Sequence, residues 1–202
     1  MKKLENNKMD EEKLRKAIEK SILDSTKIIK NTTNHVKEIE KTIKIITKCL
    51  KNNNKIIIFG NGGSAADAQH IVAEFIGRFR LERKSLAAIA LTSNSSILTA
   101  LANDYSYNTI FSRQCQALVE KGDVVIGIST SGNSKNVEKG LSVSKKLGAV
   151  TIGLLGSKGG TIKKYCNISI IINSSSTPRI QEAHRTIYHI ICEQVEREFE
   201  IK

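Results

Sequence analysis

Five short apolar runs recur in the last three-quarters of this sequence, and each is followed by residues with helical periodicity. Runs that are apolar throughout are typical of parallel strands buried on both faces. Their alternation with helices predicts an α/β fold in which one five-stranded parallel sheet is doubly wound by helices. The predicted strands are 55–59, 86–91, 123–128, 150–154 and 168–172.

Residues 10–53 precede the first strand and have apolar side chains at helical spacing. The polar stretch 31–34 interrupts this pattern, so we predict two helices that form a hairpin. The chain has 202 residues, which suits one domain with a sizeable core. We therefore expect a single domain over 1–202, with the helical pair at 10–53 and the α/β core at 54–202.

Composition limits the classes of partner. The formal net charge is +12, but the lysines of the N-terminal helices alternate with Glu and Asn and have no aromatic residues between them. Because basic single-strand grooves usually stack bases on aromatic rings, we expect solvated helix faces and no nucleic-acid partner. The positive field would still attract an anionic substrate.

The sequence also indicates where in the cell the protein is located. No apolar run approaches the ~20 residues that span a membrane, and the first ten residues lack the apolar segment of a secretory signal. The four cysteines are widely spaced and are expected to be reduced and mostly core residues. These features favour a cytoplasmic protein without a membrane partner.

A first glycine-rich loop, 60–64, follows the first strand and begins a helix. Glycines allow the backbone to approach an anion, and a helix N-terminus offers free N–H groups. Gly60, Gly62 and Ala65 also satisfy a dinucleotide-binding pattern, which requires an acidic residue about 20 positions later. The second strand ends in 89–93 without a carboxylate, so that alternative is disfavoured.

A second loop, 129–134, follows the third strand and reads Ser-Thr-Ser-Gly-Asn-Ser. Four hydroxyls and a glycine at a helix N-terminus can hold a phosphate with little basic charge. Ser and Asn are also ordinary helix caps. Because ligands of such sheets bind at the carboxyl ends of the strands, two polar loops at neighbouring strand ends favour a phosphate site.

Individual polar residues add candidates for chemistry. His70 and Glu74 are four residues apart and share a helix face. Such a pair can bind zinc or supply a base, or can simply face solvent. Asn103 and Asp104 end a predicted helix near the carboxyl edge of the sheet and could equally be a helix stop. The last helix carries His189.

The strings GNGGS, DAQH, AND, GISTSGNS and RIQEAH together resemble the sugar isomerase (SIS) domain family. Within it they are most similar to the branch that interconverts sedoheptulose 7-phosphate and D-glycero-D-manno-heptose 7-phosphate. The resemblance implies a flavodoxin-like fold, C1/C2 proton transfer through an enediol, and a homotetramer with sites at subunit contacts. It also implies the first step of ADP- or GDP-heptose biosynthesis, for lipopolysaccharide or capsule.

The resemblance assigns roles residue by residue. It implies that Glu74 and His189 are the catalytic acid/base pair. It implies one zinc ion per subunit, held by His70, Glu74, Gln181 and His189. It implies that the substrate is bound by Asn61, Gly62, Gly63, Ser64, Glu74, Asn103, Asp104, Ser129, Thr130, Ser131, Ser134 and Gln181.

Three points qualify these roles. Related replication-initiator-associating proteins lack the catalytic Glu and the second His and act as non-catalytic interaction modules; Glu74 and His189 favour the enzyme over that alternative. Gln181 and His189 are eight residues apart, a rise of ~12 Å on a straight helix, which is too far for two ligands at ~2 Å from one ion. We therefore expect them to reach a site from different subunits. Pro178 stands where enzymes often have a carboxylate.

Overall fold

The computed structural model describes residues 2–200, and their side chains from residue 10 onward. Two helices precede a five-stranded parallel sheet that has helices on both faces. The helices are α1 Lys2–Asn31, α2 Val36–Lys51, α3 Gly63–Ile76, α4 Ser95–Asp104, α5 Ile110–Leu118, α6 Lys135–Lys146 and α7 Thr177–Arg197. The strands are β1 Ile56–Gly60, β2 Ala88–Ala90, β3 Val124–Ser129, β4 Val150–Gly156 and β5 Ile168–Ile172.

The strand order is β2-β1-β3-β4-β5, and all pairs are parallel. The chain leaves β1 toward one side of the sheet, forms β2, and returns to place β3 on the other side of β1. Ligands of open α/β sheets bind at such a reversal point. The loops after β1 and β3 are the two polar loops of the sequence, so the fold places them side by side. The doubly wound architecture is confirmed.

Residues of the central strands alternate between two cores. In β1, Ile56 and Ile58 pack with α2, α3 and α7, whereas Ile57 and Phe59 pack with α5 and α6 on the other face. All four are fully buried. This explains why the strand reads as a continuous apolar run.

The edge strand β2 is shorter than predicted. The sequence predicts a strand at 86–91, whereas the ladder with β1 covers Ala88–Ala90. Leu86 and Leu91 are still 3% and 2% exposed, because they bury their side chains beside the strand rather than in the ladder. Apolar character here reports burial and not strand pairing.

The helix α3 ends at Ile76. The carboxylate of Glu196 accepts hydrogen bonds from the backbone N–H groups of Phe79, Arg80 and Leu81, at 2.7 to 2.9 Å. Those donors are therefore satisfied outside the helix. A distant acidic residue on α7 thus fixes the segment that leaves α3.

The four cysteines are free, and three of them are buried. Burial raises the pKa of the Cys115 thiol to about 11, so it stays protonated. The prediction that most of the cysteines are core residues is confirmed. Among residues 2–200, none of the helices has the combination of length and apolar character that a membrane span requires.

Candidate active site

Loop one is shaped by its glycines. A Cβ at Gly60 would lie 2.8 Å from Ser64 Cβ and 2.9 Å from the carbonyl oxygen of Ile128 on β3, so a larger residue does not fit there. Gly62 has a φ of +56°, a conformation that favours glycine. The loop therefore turns tightly from β1 into α3 and lies against the neighbouring strand.

Asn61 is held by a hydrogen-bonded pair that the sequence does not reveal. Its side-chain amide exchanges two hydrogen bonds with that of Asn136, each 2.9 Å. Asn136 is 2% exposed and lies in the first turn of α6. The hydroxyl of Tyr107 also donates to Asn61 Oδ1 at 2.9 Å. Loop one is thereby tied to the helix that follows loop two.

In loop two the serine hydroxyls converge. Ser129 Oγ lies 3.0 Å from Ser134 Oγ and 3.5 Å from Ser131 Oγ. Gly132 has a φ of +69°, and a Cβ there would lie 2.5 Å from the carbonyl carbon of Gly159. Thr130 lies at the end of β3, where its carbonyl contacts Gly156. The structure thus brings the predicted phosphate residues together at the start of α6.

His70, Glu74 and His189 form a cluster between α3 and α7. His70 Nε2 lies 2.9 Å from Glu74 Oε1, and the rings of His70 and His189 are edge-to-face with centroids 5.2 Å apart. One ligand atom from each of the three residues lies within 4.8 Å of the others. All three are half-buried. A single chain therefore supplies both residues of the predicted acid/base pair.

Gln181 does not join this cluster within the chain. Its side chain lies directly against Gly63, in the first turn of α3. His70 is seven residues further along α3, a rise of about 10 Å. We expected Gln181 and His189 to reach one ion from different subunits. Because His189 lies beside His70 and Glu74 of its own chain, only Gln181 would have to come from another subunit.

A second network lies behind His70. Arg185 Nη2 donates to Asp67 Oδ1 at 2.8 Å, and Arg185 Nε donates to the Tyr188 hydroxyl at 3.1 Å. That hydroxyl also lies 3.2 Å from Asp67 Oδ1 and 3.2 Å from His70 Nδ1. Sequence reasoning missed these three residues. The one available signal was that Asp67 lies three positions before His70, on the same helix face.

The environment sets the protonation of two groups here. Burial lowers the pKa of His189 below its usual value, and the adjacent His70 lowers it further, so His189 is neutral near pH 7. Burial, reinforced by the nearby Asp67 charge, raises the pKa of Tyr188 to about 12. The hydroxyl of Tyr188 therefore keeps its proton.

The backbone of Glu74 is fixed by a buried arginine. Arg83 Nη2 donates to the Glu74 carbonyl at 2.6 Å, and Arg83 Nε lies 3.3 Å from Glu196 Oε1. Both side chains of this ion pair are 1% exposed. The pair joins the end of α3 to α7 and so fixes the helix that carries Glu74.

Asn103 and Asp104 lie at the exposed end of α4. Their side chains hydrogen-bond each other at 2.9 Å. Of the residues that the structure describes, α4 itself contributes none to the buried core. The geometry does not bring this pair into contact with His70, Glu74 or His189.

The donor set of the cluster fits a metal ion. Two imidazole nitrogens and a carboxylate oxygen are ligands that Zn²⁺ takes at ~2.0–2.2 Å. Their separations, 2.9 Å for one pair and at most 4.8 Å overall, are close to those of ligands around one ion. Catalytic zinc sites use three protein ligands and leave a position for substrate or water.

Sequence and structure comparisons point to one family. The SIS domain model matches residues 21–156. A phosphoheptose isomerase of Clostridium acetobutylicum is 50% identical over 181 residues, 90% of this chain and 92% of that protein. Another from Citrifermentans bemidjiense is 54% identical over 164 residues, 81% of this chain and 85% of that protein. The phosphoheptose isomerase structure from Neisseria gonorrhoeae has 36% identity and a TM-score of 0.86, over 91% of this chain and 99% of that one. The chain therefore belongs to the SIS domain family and, within it, to the phosphoheptose isomerases, a family of enzymes.

Proposed function

We propose that this chain interconverts sedoheptulose 7-phosphate and D-glycero-D-manno-heptose 7-phosphate. The observation that carries the proposal is the His70–Glu74–His189 cluster between α7 and α3, the helix that begins at loop one. A base, a neutral imidazole and a phosphate loop are the parts that aldose–ketose isomerisation requires. The similarity to phosphoheptose isomerases supports a sugar-phosphate substrate.

Loop two is the proposed phosphate site. The hydroxyls of Ser129, Ser131 and Ser134 converge there at the N-terminus of α6, whose dipole favours an anion. Thr130 is proposed as a further contact. Loop one, with Asn61, Gly62, Gly63 and Ser64, is proposed as a wall of the sugar site, and Gln181 beside Gly63 contacts the same region. Asn103 and Asp104 remain proposed substrate contacts from α4.

Glu74 is the proposed base. It removes a proton from C1 of the ketose or C2 of the aldose and returns it to the other carbon through an enediol intermediate. Neutral His189 carries one N–H that can be donated to the sugar oxygen as negative charge develops on it. Both side chains are partly exposed and therefore accessible to a substrate.

One zinc ion per subunit is proposed at His70, Glu74 and His189. Gln181 of the same chain lies against Gly63, two helical turns away from this cluster. When bound, the ion would polarise the sugar oxygens and stabilise the enediolate charge. A carboxylate that holds a metal is a weaker base, so Glu74 performs one of its two tasks at a time.

A homotetramer with sites near subunit contacts is the proposed assembly. Leu14, Ile18 and Ile22 recur every four residues along α1 and are 61%, 52% and 60% exposed. A stripe of this kind favours burial against another subunit. We also propose that the protein is cytoplasmic and has no nucleic-acid or membrane partner. Its proposed reaction is the first step of ADP- or GDP-heptose formation, for lipopolysaccharide or capsule.

A non-catalytic interaction module on the same fold is the alternative. The two functions can be distinguished by adding sedoheptulose 7-phosphate to the purified protein and following the sugar by NMR. The proposal expects conversion to the aldose, with fructose 6-phosphate and ribulose 5-phosphate turned over far more slowly. Turnover of either competitor at an equal rate, or of no sugar, would contradict it.

A further inference from the structure

Asn136 is a buried asparagine at the start of α6 whose side chain joins the two polar loops. Its amide exchanges two hydrogen bonds of 2.9 Å with the amide of Asn61, in loop one. Asn136 is 2% exposed, so water competes little for this pair. None of the proposed contacts with substrate or metal involves Asn136, although it ties loop one to the helix that follows loop two.

One backbone contact fixes the orientation of both amides. The N–H of Val137 donates to Asn136 Oδ1 at 2.9 Å, and a backbone N–H can only donate. The other end of the Asn136 amide is therefore Nδ2, which donates to Asn61 Oδ1. If the Asn61 amide were turned over, its Nδ2 would face Asn136 Nδ2. Two donors that meet in a buried contact are both left unsatisfied, which is costly.

This arrangement engages both lone pairs of Asn61 Oδ1. One accepts from Asn136 Nδ2 and the other from the hydroxyl of Tyr107, each at 2.9 Å. One N–H of Asn61 Nδ2 donates to Asn136 Oδ1. The second N–H has no partner among the residues that the structure describes, and Asn61 is half-buried directly after β1. Toward a ligand, the Asn61 side chain can therefore donate but not accept.

We infer that Asn136 is a positioning residue that holds Asn61 as a hydrogen-bond donor toward an oxygen of the bound sugar phosphate. Ligands of this fold bind beyond the carboxyl ends of the strands, where Asn61 lies. The hydroxyl and carbonyl oxygens of a sugar can both accept from its free N–H. An amide that is already fixed in the free protein need not be ordered on binding, and such preorganisation raises affinity.

An ordinary helix cap is the competing explanation for Asn136. The N–H of Val137 is one of the free donors in the first turn of α6, and asparagine is common at helix starts. A cap would need only this one contact. It would not require the amide of Asn136 to pair with Asn61. Nor would it require Tyr107, from a different segment, to donate to the same Asn61 oxygen.

The inference rests on the proposed function, since it takes a sugar phosphate as the ligand. A double-mutant cycle tests it with Asn136→Ala, Asn61→Ala and the double variant. Asn136→Ala should raise KM for sedoheptulose 7-phosphate by about 2- to 10-fold, the range for one lost hydrogen bond, with a smaller change in kcat. In the Asn61→Ala background the same substitution should change KM little, because residues that act as a unit are not additive.

Ser144→Ala is the matched control. Ser144 is a fully buried polar residue on the same helix, and its hydroxyl donates to the Gly140 carbonyl. It lies eight residues after Asn136, a rise of about 12 Å, so its substitution should leave KM unchanged. If Asn136→Ala raises KM equally with and without the Asn61 side chain, the inference is overturned and Asn136 serves the folding of α6.

A ¹H–¹⁵N NMR spectrum gives a readout that does not depend on turnover. The Asn61 side-chain signals are those missing from Asn61→Ala. In the wild type, one N–H should exchange slowly with water, and the other should shift when sedoheptulose 7-phosphate is added. In Asn136→Ala both should exchange fast.

The NMR result separates this inference from the proposed function. A wild type without isomerase activity whose second N–H still shifts with the sugar phosphate would contradict the proposed function and support the inference. Fast exchange of both N–H groups in the free wild type, or no shift of the second N–H with the sugar phosphate, would overturn the inference even if Asn136→Ala failed to fold.

Discussion

His189 stands edge-on to His70 across the α3–α7 contact, with ring centroids 5.2 Å apart. The two helices run in the same direction, since Gln181 contacts Gly63 at their first turns and Tyr188 contacts His70 two turns later. Parallel packing therefore carries His189 to the face where His70 and Glu74 already lie. The chemistry of the site depends on this one helix pair.

Mixing of variant subunits tests whether one chain supplies both Glu74 and His189 to the active site. Because Glu74 and His189 come from one chain, a hybrid oligomer of Glu74→Gln and His189→Ala contains no subunit with both groups. We expect the refolded mixture to have no more isomerase activity than the two variants measured separately. Hybrids of either variant with wild type should retain activity in proportion to the wild-type fraction. Marked recovery in the double-variant mixture would mean that the pair is shared between chains.

The buried ion pair beneath Glu74 should dominate local stability. Burial raises the pKa of Glu196, but three backbone N–H donors and Arg83 more than offset this, and the pKa stays below its usual value. Glu196→Ala leaves Arg83 buried without its partner, which costs about 3–5 kcal/mol in the free energy of unfolding. Urea unfolding measures this. Glu193→Ala, on the same helix but more exposed, should change stability little; equal losses would refute the role of the pair.

Gly132 should control the phosphate loop. At a φ of +69°, with Gly159 where a Cβ would lie, Gly132→Ala must shift loop two. Left-handed backbone at a non-glycine residue costs about 1–3 kcal/mol, and we expect in addition an increase in KM of about tenfold from misplaced hydroxyls, equivalent to ~1.4 kcal/mol. Gly148→Ala is the control, because Gly148 has a φ of +87° but contacts Lys121, away from loop two. An unchanged KM in Gly132→Ala would argue against phosphate binding there.

His184 should make stability fall in acid. Its ring is fully buried against the Leu155 carbonyl, and burial lowers its pKa to about 4. In the unfolded chain it titrates near its ordinary value, so below about pH 6.5 the unfolded state binds the extra proton. Stability from this group is full above about pH 6.5 and is lost as the pH falls toward about 4.

Urea unfolding between pH 7.5 and 4.5 checks the sign. Wild type should lose about 2–3 kcal/mol more than His184→Gln over this range, whereas His35→Gln, at a half-exposed histidine, should track the wild type. If His184→Gln shows the same acid loss as wild type, the buried neutral histidine is not responsible.

The sequence was sufficient for the sheet and for the two loops. Continuous apolar runs identify central strands because both faces are buried, and the loops follow from glycine and serine at the ends of β1 and β3. The edge strand β2 was overestimated because Leu86 and Leu91 are buried for packing reasons. Apolar patterning does not separate the two causes.

The network behind His70 was not predictable in the same way. Asp67, Arg185 and Tyr188 meet only because α3 and α7 pack in parallel with a particular register, which no local pattern encodes. The same holds for Asn136, whose position after loop two suggests an ordinary capping residue although it binds Asn61. Gln181 is the opposite case, because the resemblance assigned it a role as a metal ligand that the structure of one chain does not support. Its side chain lies two helical turns away from His70, Glu74 and His189.

The most direct test of the account is deuterium exchange into sedoheptulose 7-phosphate in D₂O, followed by NMR for wild type and Glu74→Gln. Wild type should form the aldose and incorporate deuterium at C1 or C2. Glu74→Gln should fold normally and lose both signals by about 10²–10⁴-fold, the usual contribution of a general base. A wild type that shows neither aldose nor exchange, or a Glu74→Gln variant that exchanges at the wild-type rate, would contradict the assignment of Glu74 as the base.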